Sequence, residues 1–276
     1  MLTPAQCDRV DVVLVSPRNP LNIGAAARAM ANFGFQRLSI VAPFAVNWME
    51  AKSAVGAPDL LRDAKVFDTL AEAVSHCTFV LGTGSLDRRR PVQAILGLPE
   101  AATKIRTALA SAEEPGAPGL ASETWVPANS QRPSTPRIAL VFGSEKHGLT
   151  SDDLSWCHAL IVIETCDAQP SMNLGQAVAV CLYEISRDPV SENTSKTNSS
   201  KMETPQPDSG QLDRLAGLIE ETMEAVNYST RGMRSANGEA LRVLLRRLMP
   251  NEADLRRMMG LFRRILWQIR RNSAKV

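Results

Sequence analysis

The stretch from Arg137 to Arg187 constrains the fold more than any other. Ile138-Ala139-Leu140-Val141-Phe142 is an unbroken apolar run of strand length, and it ends in the polar, glycine-bearing sequence Gly143-Ser144-Glu145-Lys146-His147-Gly148-Leu149. A second run, Ala159-Leu160-Ile161-Val162-Ile163, leads to Pro170-Ser171-Met172-Asn173 and then to apolar residues at Leu174, Val178, Cys181, Leu182 and Ile185. Apolar runs without polar alternation suit strands buried on both faces, and the 174–185 spacing is that of one helix face. Strands alternating with helices predict an α/β fold, a parallel sheet with helices on both faces. In such sheets ligands collect at the carboxyl ends of the strands. The two loops, at Gly143 and at Ser171, therefore predict a small-molecule site.

The preceding chain continues the pattern. Asp11 to Val15 reads as a strand, followed by the loop Pro17-Arg18-Asn19-Pro20. A helix then runs to about Phe33, with Asn22 able to cap it and Gly34 suited to a left-handed stop. Leu38 to Val41 is a second strand. Short helices are expected over 48–53, 58–62 and 70–75, a short strand at Val66-Phe67, and a strand over Thr78 to Leu81 that ends in Gly82-Thr83-Gly84-Ser85. Small residues there let a ligand approach the backbone closely. The chain has neither a P-loop nor a Gly-x-Gly-x-x-Gly fingerprint, which argues against a nucleoside-triphosphate or dinucleotide site. After a helix over 101–110, residues 111–136 hold five prolines and read as a loop insertion. Residues 188–210, rich in Ser, Thr, Asn and Pro, read as a linker. The expected organisation is a domain over 1–187, a linker over 188–210 and a helical extension over 211–276.

Three motifs carry a resemblance. Asn19-Pro20-Leu21-Asn22-Ile23-Gly24 with Arg28 shortly after, then Phe142 to Leu149, then Ser171-Met172-Asn173-Leu174 resemble, in that order, the signature motifs of the SpoU branch of the SPOUT RNA 2′-O-methyltransferases. The resemblance implies a trefoil knot built from about 138 to 187, a homodimer with its active site at the subunit interface, and S-adenosylmethionine as cofactor. It places Thr83, Gly84, Ser85, Gly143, Ile163, Ser171, Met172 and Leu174 around the cofactor, and it implies Arg28, Asn22, Glu145 and Asn173 as the catalytic set. Arg28 matches the catalytic arginine of the first motif. Because a guanidinium stays protonated in proteins, orienting the target phosphate and stabilising the forming alkoxide suit it better than acting as a base. Glu145 is the nearest acid, able to orient Arg28 or to cap the following turn.

The charge distribution points to a polyanionic partner. From Arg231 to Val276 there are twelve Lys or Arg against three acids, although the whole chain carries only +2. Helices are expected over 212–226, 238–249 and 252–271. In the last, Leu255, Met258, Met259, Phe262, Ile265, Leu266 and Ile269 share one face. Arg256, Arg263 and Arg270 recur every seven residues, as do Arg257, Arg264 and Arg271, so each set forms a stripe. Arg256, Arg263 and Arg270 make either a solvated face or, as the neighbouring methyltransferase motifs favour, a track for RNA phosphates, with Arg88 on the rim of the cofactor loops. This basic extension resembles that of the tRNA (cytidine/uridine-2′-O)-methyltransferase type, which implies tRNA as partner and nucleotide 32 of the anticodon loop as target. An rRNA 2′-O-methyltransferase of the same superfamily and a non-catalytic RNA-binding protein are the alternatives. The five cysteines are odd in number and lack a Cys-x-x-Cys pair, so free thiols are expected and no metal site. No apolar run approaches the roughly 20 residues that span a bilayer, and no signal pattern opens the chain. The expectation is a cytoplasmic protein without a membrane partner.

Overall fold

A computed structural model describes residues 1–44, 48, 53–84, 91–110, 135–166, 168–187, 205–228 and 234–273. Among them, seven strands form one sheet: β1 (Val10–Val15), β2 (Arg37–Val41), β3 (Lys65–Phe67), β4 (Phe79–Thr83), β5 (Ala94–Gly97), β6 (Ile138–Phe142) and β7 (Ala159–Val162). Their spatial order is β3-β2-β1-β6-β4-β7-β5, and every pairing is parallel. The chain builds outward from β1 through β2 to β3, then returns to the other side for β4. β6 is inserted between β1 and β4, so the order reverses beside the ends of β1 and β6.

Helices cover both faces, as the unalternated strands require. The alternating side chains of a strand point to opposite faces. Val12 and Leu14 pack with Ile23 and Met30 of α2 (Pro20–Phe33), Ile105 of α5 (Leu98–Ala110) and Val178 and Leu182 of α7 (Leu174–Ser186). Val13 and Val15 pack on the other side, with Leu70 and Val74 of α4 (Leu70–Val74) and with Trp156, just past α6 (Ser151–Ser155). The remaining short helices are α1 (Pro4–Cys7) and α3 (Pro58–Arg62). α2 and α7 lie in close contact: a Cβ built on Gly175 would stand 2.6 Å from the Cβ of Ala25. This glycine lets the first and third motifs meet.

Several boundaries differ from expectation for identifiable reasons. Asn19, not Asn22, caps α2, its side chain accepting from the Leu21 amide at 2.9 Å, with Pro20 at the first helical position that suits proline. Gly34 does end the helix in the left-handed conformation, at φ 79°. β5 was not expected: it has four residues and pairs only at the sheet edge, with β7. α5 starts at Leu98 and takes Pro99 in its first turn, where the missing N–H costs no helical bond. Residues 49–52 of the helix expected over 48–53 and the insertion core over 111–134 lie outside the described residues.

The carboxyl-terminal helices are α8 (Ser209–Ala225), α9 (Arg234–Leu248) and α10 (Glu252–Ser273). Leu212, Leu215, Ile219, Leu245 and Leu255 form their own core. α8 begins inside the stretch read as linker, because Asp208 and Gln211 form a reciprocal capping box. It is also tied to the sheet domain. The amides of Ser209 and Gly210 donate to the carbonyls of Cys77 and Ser75 at 2.8 Å each. Arg246 of α9 is buried, donating to the Trp156 carbonyl at 3.0 Å and to Ser209 Oγ at 2.6 Å, with its guanidinium 4.9 Å from the centre of the Trp156 ring. Burial pulls this guanidinium down to about 10, still charged at neutral pH. Arg242 reaches Asp152 and Ser155 of α6. The extension is thus docked on the sheet domain by specific polar contacts. No helix among the described residues is long and apolar enough to cross a membrane.

Candidate active site

The carboxyl ends of β4, β6 and β7 open into one pocket of about 530 Å³. Thr83 and Gly84 line it from β4, Gly143 to Leu149 from β6, and Ile163 from β7. Ser171 and Met172 ahead of α7, and Leu174 at its first position, close it. The residues expected around a cofactor are therefore together, except Ser85, which with Arg88 lies outside the described residues.

Each wall has a local cause. The Thr83 hydroxyl donates to the Val141 carbonyl at 3.1 Å, which fixes the end of β4 against β6. A Cβ on Gly84 would meet nothing within 4 Å, so the backbone there has free space beside it. Gly143 is different. A Cβ there would lie 2.1 Å from the carbonyl carbon of Gly148 and 2.3 Å from the Leu149 nitrogen. The loop folds back on itself, with the Gly148 amide donating to the Ser144 carbonyl at 2.8 Å and Gly148 in the left-handed region at φ 64°. The close approach that Gly143 permits is that of its own loop.

The polar residues of the three motifs form a chain of hydrogen bonds. Glu145 accepts from the backbone amides of Arg18 and Asn19 at 2.9 and 3.1 Å and from Asn22 Nδ2 at 2.9 Å. Asn22 Oδ1 accepts from Asn173 Nδ2 at 2.9 Å. Asn173 Oδ1 in turn accepts from the amides of Gly175 and Gln176, capping α7. Partial burial alone would raise the Glu145 carboxyl. The bonds from Asn22 and from the Arg18 and Asn19 amides outweigh it and hold the group below the usual carboxylate range. Glu145 thus ties the first-motif loop to the second, and the turn that follows is capped by Thr150 and Asp153 instead.

Arg28 stands apart from this chain. It is exposed on α2, does not line the pocket, and no bond to Glu145 is present. Within one chain the structure does not bring it to the pocket loops. Arg270 also departs from expectation, since its guanidinium is paired with Glu221 of α8, whereas Arg256 and Arg263 are exposed and make no ion pair among the described residues. Of the histidines, His158 is buried and its Nδ1 accepts from the Val80 amide at 3.1 Å. Burial, helped by the Arg246 charge, pulls it down to about 3, so it is neutral and held away from the pocket. At the opposite end of the sheet, Asp11, His76 and Cys77 place potential ligand atoms within 4.8 Å. Asp11 is already bonded to Arg37 and His76, with Arg137 3.8 Å away, and this positive surround opposes a cation.

The Asn22–Glu145–Asn173 chain could not be found by spacing. Its only signal in the sequence is that each of the three residues stands two positions from a glycine, Gly24, Gly143 and Gly175.

Comparison with known proteins accords with this geometry. Residues 9–183 match the SpoU rRNA Methylase family. The tRNA (cytidine/uridine-2′-O-)-methyltransferase TrmJ of Escherichia coli K12 is 29% identical over 267 residues, 96% of this chain and 98% of that protein. TrmJ of Citrobacter koseri is 29% identical over 253 residues, 91% of this chain and 94% of that one. The crystal structure of TrmJ from Z. mobilis ZM4 superposes with a TM-score of 0.71 at 28% identity, covering 92% of this chain and 98% of that one. A probable methyltransferase from Bordetella pertussis superposes at 0.54 and 28% identity, covering 66% and 97%. The chain belongs to the SpoU rRNA Methylase family and so to the methyltransferases that modify RNA.

Proposed function

We propose that the protein methylates a ribose 2′-hydroxyl of tRNA, with S-adenosylmethionine as donor and nucleotide 32 of the anticodon loop as target. The observation that carries this reading is one pocket at the carboxyl ends of β4, β6 and β7 that the second and third motifs line, with the first motif tied to its wall through Asn22, Glu145 and Asn173. The names of the relatives that match most of the chain support tRNA as the substrate class.

The pocket suits a nucleoside carrying an amino-acid tail. It has the volume of a small-molecule site, apolar walls at Phe142, Ile163, Leu174 and Ala177 for a purine face, and exposed loop backbone for its edge. Gly84 leaves space beside the chain. When bound, S-adenosylmethionine supplies the electrophilic methyl group. The chain's own task is to hold the ribose hydroxyl in line with it, which by itself accounts for a large share of rate. The hydroxyl oxygen would take the methyl as the sulfonium carbon–sulfur bond breaks to leave a neutral thioether, and the hydroxyl proton would pass to solvent. Glu145 is a positioning residue, because its oxygens already accept three N–H donors. Asn22 and Asn173 transmit that anchoring to the start of α7. Arg28, exposed on its own chain, serves the pocket of a second copy in a homodimer, where its charge steadies the alkoxide. In this reading residues 138–187 form the trefoil knot and 211–276 form the RNA-binding extension of a cytoplasmic enzyme.

The test is methyl transfer from labelled S-adenosylmethionine to total RNA that is afterwards separated into tRNA and ribosomal RNA. The expected result is label in tRNA, lost in Asn22→Ala. Label in ribosomal RNA alone would overturn the substrate assignment, and label in neither would overturn the activity.

A further inference from the structure

The outward face of α10 is cationic and aromatic at once. Leu255 and Leu266 are buried, and Met258, Met259 and Phe262 pack against the core shared with α8 and α9. Helical geometry at 3.6 residues per turn then puts Arg257, Arg264 and Arg271 at the centre of the opposite face. All three are exposed. Arg256 and Arg263 lie nearer the α8 edge, where their stripe ends in the Arg270–Glu221 pair. Trp267 sits between the two stripes. It is 45% exposed, and the guanidiniums of Arg264 and Arg271 lie 4.4 and 5.2 Å from its ring centre. From Leu255 to Arg271 no acidic residue occurs.

We infer that Trp267, with Arg264 and Arg271, is a stacking platform for an unpaired nucleobase of the RNA substrate, and that the Arg257–Arg264–Arg271 stripe carries the flanking phosphates. This rests on the tRNA reading above. A large aromatic ring exposed in water loses free energy unless a partner covers it. The face around it, with five arginines that make no ion pair among the described residues, suits a polyanion. Base–aromatic stacking beside a phosphate-tracking positive groove is how unpaired nucleic acid is held. A planar guanidinium stacks on the indole as a base would, so a base enters by displacing one arginine, which then takes up the adjacent phosphate. A-form duplex keeps its bases stacked inside, so the platform selects a loop.

Two kinds of variant separate stacking from charge. Trp267→Ala should weaken tRNA binding about tenfold, the lower part of the range for one stacked base, and Trp267→Phe should restore most of it. Because stacking releases no counterion, the salt slope in Trp267→Ala should stay as in the native protein. Arg264→Gln with Arg271→Gln should instead flatten that slope by about 1.4 to 1.8, while Arg256→Gln with Arg263→Gln should change it less. Unchanged tRNA affinity in Trp267→Ala would overturn the platform, as would a shift of the monomer–dimer balance in that variant, which would make the face a contact between copies. In methyl transfer the loss in Trp267→Ala should appear as a raised KM for tRNA. A native protein that methylates tRNA while Trp267→Ala binds normally refutes the platform alone; a native protein that methylates no tRNA refutes the reading beneath it.

Discussion

Asn22 and Asn173, 151 positions apart in the chain, share a side-chain hydrogen bond of 2.9 Å. The other end of the Asn22 amide donates to Glu145, so one side chain couples the first turn of α2, the loop after β6 and the start of α7. Removing it in Asn22→Ala leaves Glu145 and Asn173 each short of a partner. About 1 kcal/mol of lost stability is expected, which lowers the thermal midpoint by about 2–4 °C in a chain of this size. Methyl transfer should fall further, by about a hundredfold, as expected when a reacting geometry shifts by about 1 Å. Calorimetry and a rate assay on the same sample check the pair; full activity would reduce the network to a structural tie.

The two pocket glycines should behave differently. Gly84→Ala adds a methyl in open space, so its thermal midpoint should be native while S-adenosylmethionine affinity falls. Gly143→Ala drives a methyl into the Gly148–Leu149 backbone, so it should lose stability and cofactor binding together. Native cofactor affinity in Gly84→Ala would contradict the assignment of this pocket.

Arg28→Ala should lose turnover by orders of magnitude with cofactor affinity nearly unchanged. If the arginine serves the partner's pocket, mixing Arg28→Ala with the pocket-filling Gly84→Val should restore activity, since a mixed dimer contains one intact combination. No recovery after verified subunit exchange would place Arg28 in its own chain's site.

His158 makes a pH prediction. Its folded pKa, about 3, lies below its ordinary value of 6.5. Between those values the unfolded chain binds the extra proton, so stability is full above about 6.5 and declines as pH falls toward 3. In His158→Gln, whose side-chain oxygen can still accept from the Val80 amide, the acid-side slope should be shallower by up to one proton. Denaturant midpoints from pH 7 to 4 measure it, and an unchanged slope would contradict a neutral buried imidazole.

The sequence made some of this legible and hid the rest for physical reasons. The unalternated runs at Asp11–Val15 and Ile138–Phe142 revealed parallel strands, because burial on both faces leaves no polar alternation. The strand-end loops at Gly143 and Ser171 located the pocket for the same reason. Asn19 was readable as the cap of α2 from the Pro20 that follows it, yet Asn22 offers the same chemistry three residues on, and only the tertiary partners Glu145 and Asn173 distinguish them. β5 is four residues beside Pro91 and leaves little periodic signal. The contact that Gly143 permits is with Gly148, close in sequence but set by loop shape. The heptad spacing of the arginines gave both stripes equal standing; Glu221 and the packing of α10 on α8 separate them.

Mapping the methylated nucleotide in tRNA tests the central claim most directly. After incubation with labelled S-adenosylmethionine, alkaline hydrolysis should leave one resistant linkage, since a methylated 2′-oxygen cannot attack the adjacent phosphate. The account predicts that linkage 3′ to nucleotide 32 of the anticodon loop. Label on a base, with every linkage cleaved, would contradict ribose methylation, and label confined to ribosomal RNA would contradict tRNA as the substrate.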